Sequence, residues 1–318
     1  MQIIRDINGF EFDRKSAVTV GTFDGVHSGH RKIIEKLKSV SETKGLRTVI
    51  ITFEPHPQIV LRNRTNDIRI LSTKEEKLEI FRSLGIDIAY VIDFTKEFSE
   101  TTAEEFYKNY LIEKIGLSDL VLGYDHMFGK NREGNFDTLK DLSHRYNFTF
   151  DKVDEYRFNG EHISSSVIRK LLREDGDVKK VSSILGRNYS IEGKVTEGKK
   201  LGRELGYPTA NIETENKFKA IPAKGIYTVE AEVDFDLYEA MMSIGTNPTV
   251  TDDDSVKLEV NIFDFDKDIY GKNIRINFIE RIRDEKKFSS LEELKKQLSE
   301  DRKTSLNIFK TVKNKSKQ

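Results

Sequence analysis

The sequence predicts an α/β chain in two parts: a parallel β-sheet covered by helices, then a small antiparallel β-barrel with a terminal helix. Three observations predict it. Over the first half of the 318 residues, β-branched apolar runs alternate with amphipathic helical stretches, the pattern of a parallel sheet covered on both faces. From Tyr189 onward the apolar period changes to two, in short strands separated by glycine-bearing turns. After Ser290 a helical stripe returns. The length suits about two domains, each with its own core, and the boundary is placed between residues 1–185 and 186–318.

AVTVGTF (17–23) reads as the first buried strand. Residues 28–44 carry Ile33, Ile34, Leu37 and Val40 on one helical face, and Gly45 suits a C-terminal cap. LRTVIITFE (46–54) is the second strand. Thr73 and Glu76 form a capping box before a helix with Leu78, Phe81 and Leu84. IDIAYVIDF (86–94) is the third strand. Thr102 and Glu105 repeat the box before Phe106, Tyr110, Leu111 and Ile115. DLVLGYD (119–125) and FTFDKVD (148–154) complete five strands. Helical segments near 163–173 and 177–185 lead to Gly186. The barrel strands are YSIEGKV (189–195), GIYTVEAEV (225–233), KLEVNIFDF (257–265) and NIRINFI (273–279). Ser290 and Glu293 form a third capping box, before an apolar face of Leu291, Leu294 and Leu298. The lysine-rich end, KTVKNKSKQ, reads as a frayed tail.

Composition narrows the chemistry. The chain has 53 Lys+Arg against 54 Asp+Glu, so its net charge of -1 calls for neither nucleic acid nor an anionic membrane. No run approaches the roughly 18 apolar residues of a membrane span, and MQIIRDINGF is not a signal peptide. A soluble cytoplasmic protein is expected, a monomer or weak oligomer. Cysteine is absent, which excludes disulfides, thiol nucleophiles and Cys-ligated metals.

In an open parallel sheet, ligands bind at the carboxyl ends of strands, at a switch point. GTFDGVHSGH (21–30) occupies such a place. Gly21, Gly25 and Gly29 allow close backbone approach to an anion. The helix start adds partial positive charge, and His27 and His30 can donate hydrogen bonds to phosphate oxygens. The stretch is neither GxGxxG nor a P-loop. HxGH alone also fits a turn with two incidental histidines.

With the preceding GxFDG, the segment resembles the HxGH nucleotidyltransferase superfamily, which implies a Rossmann-like domain. TFEPHP (52–57), GYDHMFGKNREG (123–134) and ISSSVIR (163–169) narrow the resemblance to the adenylylation module of bacterial bifunctional riboflavin kinase/FAD synthetases. The resemblance implies that Gly21, Phe23, His27, Gly29 and His30 line the ATP phosphates. It implies that Ser164 and Arg169 steady the triphosphate and the departing pyrophosphate, and that Asp125 and Phe128 lie near the nucleotide or flavin.

KVTEGKKLGRELGYPTANI (194–212) resembles the riboflavin kinase domain. Gly198 and Gly202 would then flank phosphates. Thr209 and Asn211, two apart on one face of an extended strand, are neutral oxygen ligands suited to Mg²⁺. Glu259 would be the general base. From the strand alone, Glu259 also fits a solvent-exposed position beside Lys257 and Asn261. Asp264, Asp266 and Asp268 read as a turn rather than a metal site. ERIRDEKKF (280–288) matches the family's stretch before the last helix, with Arg283 a candidate flavin or phosphate contact. Departures from the family pattern are Ser28, His126, Met127, Ser166 and Asn188. The resemblance spans about residues 15–305.

It implies a two-step enzyme: Mg–ATP phosphorylates riboflavin to FMN, and a second ATP adenylylates FMN to FAD with release of pyrophosphate. A kinase with a decayed first module, a flavin- or RNA-binding protein and a tRNA synthetase relative are the rival readings. Intact His27, His30 and Arg169 speak against the first. The PTAN loop with Glu259 speaks against the second, and the lack of a visible basic anticodon-binding region against the third.

Overall fold

The β-branched runs of the first half do pair in parallel. The computed structural model describes residues 1–6, 14–61, 68–124, 129, 136–197, 206–246 and 256–315. Its first sheet contains β1 (Gln2–Ile4), β2 (Ser16–Val20), β3 (Arg47–Glu54), β4 (Ile88–Asp93), β5 (Leu117–Gly123) and β6 (Thr149–Val153), in the order β1-β4-β3-β2-β5-β6. Every pairing is parallel. The chain runs outward from β2 through β3 and β4, then returns to β2's other side with β5. The switch point therefore lies at the carboxyl end of β2.

Both faces of the sheet are buried, which is why the strands read as continuous apolar runs. On one face Val18, Val49, Ile51 and Tyr90 pack against Phe106, Tyr107 and Leu111. On the other, Ala17, Ile50, Ala89 and Val121 pack against Ile34, Leu37 and Phe81. The covering helices include α1 (Ser28–Lys44), α2 (Pro57–Leu61), α3 (Lys74–Ser83), α4 (Lys96–Ser99), α5 (Ala103–Glu105) and α6 (Phe136–Tyr146). α1 ends on Gly45 in the left-handed region, with φ 64°. Both expected capping boxes form, at Thr73 with Glu76 and at Thr102 with Glu105. α5 widens into π-type turns over Phe106–Ile115, which periodicity does not announce. β1 and α6 were not expected: β1 has three residues, too few to show a period.

The chain divides into two compact units, Met1–Ser165 and Ser166–Gln318. A short hairpin, β7 (Arg157–Phe158) with β8 (Glu161–His162), closes the first. α7 (Ser165–Lys170) spans the division and continues as π-type turns to Asp175. α8 (Val178–Leu185) belongs with the barrel, where Lys179 pairs with Glu280 at 2.8 Å.

The barrel closes in the order β10-β13-β12-β11-β14-β9. Its strands are β9 (Tyr189–Thr196), β10 (Ala210–Glu213), β11 (Gly225–Val233), β12 (Asp236–Thr246), β13 (Val256–Ile262) and β14 (Asn273–Arg283). β12 was not expected. Asp268 accepts the Tyr270 N–H at 3.0 Å, as a turn residue does.

The last helix, α9 (Leu291–Lys315), corrects three expectations. Glu293 N–H does bond Ser290 Oγ, but the Glu293 carboxylate reaches one residue further, to Ser289 N and Oγ. Leu298 packs on the core as expected, but Leu291 is 55% exposed, and the side chains most deeply buried are Asp301, Ser305 and Phe309, four residues apart. The lysine-rich end is helical through Lys315, with Lys313 bonded to Glu239.

A buried ion pair holds α9. Arg283 Nε and Nη2 grip both oxygens of Asp301 at 2.9 and 2.6 Å, and Asp301 is 1% exposed. Ser305 meets Thr228 at 3.2 Å, and Phe309 fills a pocket with Met241 and Phe263. Removing one member of a buried pair strands the other's charge. Asp301→Ala is expected to cost about 3 kcal/mol in urea unfolding followed by circular dichroism. A loss below about 1 kcal/mol, the size of a surface pair, would show that α9 is held otherwise.

Candidate active sites

The loop after β2 is built by packing rings into a strained turn. Phe23 and Val26 sit at φ 49° and 41°, beside Gly25 at φ 83°. A β-branched residue in the left-handed region persists only where its surroundings over-determine it. Here they do. Asp24, buried, accepts from Leu71 N at 2.7 Å and Ser72 N at 3.0 Å, and its carbonyl accepts from Ser165 Oγ at 2.9 Å. Val26 N–H closes the turn onto Phe23 O at 3.0 Å.

His27 is the N-cap residue of α1, without a side-chain cap bond, and the first turn holds no acidic residue. No carboxylate of that turn neutralises the helix's positive end. The His27 and His30 rings stack with centroids 3.7 Å apart, and Phe23 meets His30 edge-on at 5.2 Å. Two glycines make room for the rings. A Cβ on Gly29 would lie 3.2 Å from the His27 ring, and one on Gly21 would lie 3.2 Å from the Phe23 ring. Neither glycine is left-handed, so the need is space rather than backbone freedom.

His30 Nδ1 is enclosed without a hydrogen-bond partner among the described residues. Burial, then His27, then Lys77 hold the His30 pKa well below the ordinary histidine value. The ring is therefore neutral at physiological pH. Lys77, whose charge acts on His30, is 3% exposed and bonds Thr52 Oγ1 at 3.2 Å, Thr22 O at 3.3 Å and Phe53 O at 3.4 Å. Burial lowers the Lys77 pKa and raises that of Glu54. His56 Nδ1 accepts from Gln58 N at 3.2 Å at the start of α2.

The structure thus brings Gly21, Phe23, His27, Gly29 and His30 together. Ser164 stands directly before α7 in the first unit, and Arg169 is near the end of α7 in the second. Asp125, Phe128, Gly198 and Gly202 lie outside the described residues. Sequence reasoning missed Asp24, Thr52, Lys77 and Ser165. Asp24 lay within the GxFDG segment already singled out. Lys77 adjoins Leu78 on an apolar stripe, which was the available signal.

In the barrel, residues paired directly across strands share a face. Asn211 stands opposite Glu259 and opposite Thr196, and Glu259 stands opposite Ser243. These four polar side chains form one row, while Leu258 and Val260 are buried on the other face. Lys257 Nζ bonds Glu259 Oε1 at 2.7 Å, and Asn261 Nδ2 donates to Pro208 O at 2.7 Å, anchoring the PTAN segment. Thr209 lies between Pro208 and β10, half-buried. Arg283 is committed to Asp301 and to Asp284 O.

A histidine pair at the switch point of a parallel sheet marks the nucleotidyltransferase class. A closed six-stranded barrel with a polar PTAN–glutamate row accompanies it in the same chain. The comparisons agree. Residues 10–167 match the family model described as FAD synthetase, and residues 185–309 the one described as riboflavin kinase. Bifunctional riboflavin kinase/FMN adenylyltransferase of Listeria monocytogenes is 38% identical over 91% of each chain. That of Bacillus subtilis is 35% identical over 95% of each. That of Escherichia coli K12 is 32% identical over 97% of this chain and 98% of its own. The chain belongs to the bifunctional riboflavin kinase/FMN adenylyltransferase family. A crystal structure from Streptococcus pneumoniae, titled macrolide-efflux protein, superposes with a TM-score of 0.86 at 31% identity, covering 96% of this chain and 98% of that one. No helix among the described residues is long and apolar enough to cross a membrane.

If Gly29 serves to seat the His27 ring, Gly29→Ala pushes the stack apart. FAD formation from FMN should fall at least tenfold, with the fold intact by circular dichroism. Wild-type rates in this variant would refute the packing role.

Proposed function

We propose that the chain converts riboflavin to FMN in the barrel unit and FMN to FAD at the histidine pair, using one ATP for each step. The carrying observation is that each unit holds its own polar constellation in a chain matching the family over nearly its whole length. The functional boundary is proposed between residues 1–185 and 186–318, with α7 and α8 packed structurally on the barrel side.

In the first reaction the ribityl 5′-hydroxyl attacks the γ-phosphorus of ATP, Glu259 takes the hydroxyl proton, and ADP leaves. Asn211, opposite Glu259, faces the same space, and Lys257 orients the carboxylate. Gly198 and Gly202 are proposed phosphate neighbours. The Thr209–Asn211 pair offers a hydroxyl and an amide oxygen, a low-charge donor set suited to Mg²⁺ arriving on ATP. The ion would neutralise phosphate charge there. In the second reaction a phosphate oxygen of FMN attacks the α-phosphorus of another ATP, and pyrophosphate leaves. His27 and His30 donate hydrogen bonds to the phosphate oxygens. Ser164 and Arg169 steady the triphosphate, and Asp125 and Phe128 are proposed on the flavin or nucleotide side. Arg283 is proposed as a flavin or phosphate contact, held in place by its bonds to Asp301. The partners proposed are small molecules only, handled in the cytoplasm by a monomer or weak oligomer.

Purified protein with riboflavin, ATP and Mg²⁺ should yield FMN and then FAD on a chromatogram. His30→Ala should lower FAD formation at least a hundredfold and spare FMN formation. Glu259→Ala should stop FMN formation yet still adenylylate supplied FMN. Loss of both activities in either folded variant would overturn the division of labour.

A further inference from the structure

A buried lysine needs a reason, because an ammonium taken from water must recover its hydrogen bonds. Lys77 is the most enclosed cation of α3, and its three acceptors belong to the two segments that frame the histidine pair. Thr22 O lies in the loop after β2, while Thr52 Oγ1 and Phe53 O lie at the end of β3. Thr52 Oγ1 itself donates to Thr22 O at 3.1 Å, so the ammonium completes a small polar knot between adjacent strand ends. None of the motifs that singled out the site contains Lys77.

We propose that Lys77 is a positioning residue of the adenylyl-transfer site: its ammonium ties the carboxyl ends of β2 and β3 together near His27 and His30 and supplies the fixed positive charge there. The inference rests on adenylyl transfer occurring at that histidine pair.

The geometry has two consequences. Loop 21–27 carries strained backbone at Phe23 and Val26, so its shape depends on external ties. Lys77 provides one on the strand side, and Asp24 and Ser165 provide others. The charge also acts on the imidazoles. The groups facing it are Glu54 on β3, Asp24 in the loop, and Lys74 and Glu75 on its own helix. Facing His30 are His27 and Lys77. A cation beside an imidazole opposes protonation, so removing Lys77 lets His30 take up its proton at a higher pH. The site would then lose its neutral ring as pH falls, earlier than in the wild type.

The test compares wild type, Lys77→Met and Lys77→Arg in FAD formation from FMN and ATP, across the acid limb of the pH profile. The His30 ring is titrated by NMR in parallel. Lys77→Met should lower kcat about a hundredfold, move the acid limb to higher pH and raise the His30 titration midpoint. Lys77→Arg should restore the limb and part of the rate. Thermal unfolding followed by circular dichroism reports that each variant is folded, and FMN formation from riboflavin serves as the control activity of the other unit. Wild-type kinetics in Lys77→Met would overturn the proposal, as would a rate loss with limb and His30 titration unmoved. Where Lys77→Met does not fold, Thr52→Val removes one tie and leaves the charge. It should lower the rate with the limb fixed, and a wild-type rate would overturn the tie. A wild-type protein that makes no FAD would instead sink the assignment of adenylyl transfer, and the His30 titration would still read the charge effect.

Discussion

The stacking of His27 on His30 is the contact around which the first unit's functional end is arranged. Two imidazoles 3.7 Å apart tolerate each other only when they are not both positively charged. Burial and the nearby Lys77 ammonium enforce that. The remaining features follow from seating this pair at the end of β2. Gly29 and Gly21 give space to rings, Phe23 closes one side, and the turn accepts left-handed backbone at Phe23 and Val26 to deliver them. Asp24 holds that turn from the segment before α3 and from the start of α7. A neutral, desolvated imidazole donates one hydrogen bond in a fixed direction, which suits charge that grows on a phosphate during transfer.

The barrel reaches a similar end by register instead of strain. Pairing of β10 with β13 sets Asn211 beside Glu259, and the Asn261–Pro208 bond fixes where PTAN enters the sheet. α9 then covers part of the outer face through Asp301, Ser305 and Phe309. On the proposed assignment, the two units use different physics for one purpose, the placing of a few donors around phosphate groups. That is consistent with a chain of near-zero net charge handling highly charged substrates.

Much of this was legible in the residues. α1 appears with the expected bounds because a clear apolar face ends at a glycine that accepts left-handed backbone. β11 is likewise read to the residue, since Tyr227, Val229, Ala231 and Val233 recur at every second position. The histidine pair was visible because its glycines and its place after a strand stand out together. What stayed hidden was polar and buried. Lys77, Asp301 and Ser305 look like solvent-facing residues until their partners, Thr52, Arg283 and Thr228, are placed beside them by tertiary structure. β12 begins and ends with polar or small residues and carries its buried Ala240, Met241 and Met242 in succession, without alternation. Arg283 drew attention as a ligand contact through its motif, and the motif gave no sign that it also tethers α9 through Asp301.

The most direct measurement follows isotope from ATP into the flavins. With riboflavin as the only flavin supplied, label in the γ-phosphate of ATP should enter FMN and persist in FAD. Label in the α-phosphate should enter FAD alone. α-Phosphate label that reaches no flavin, or that appears in FMN, would contradict two separate transfers by one chain.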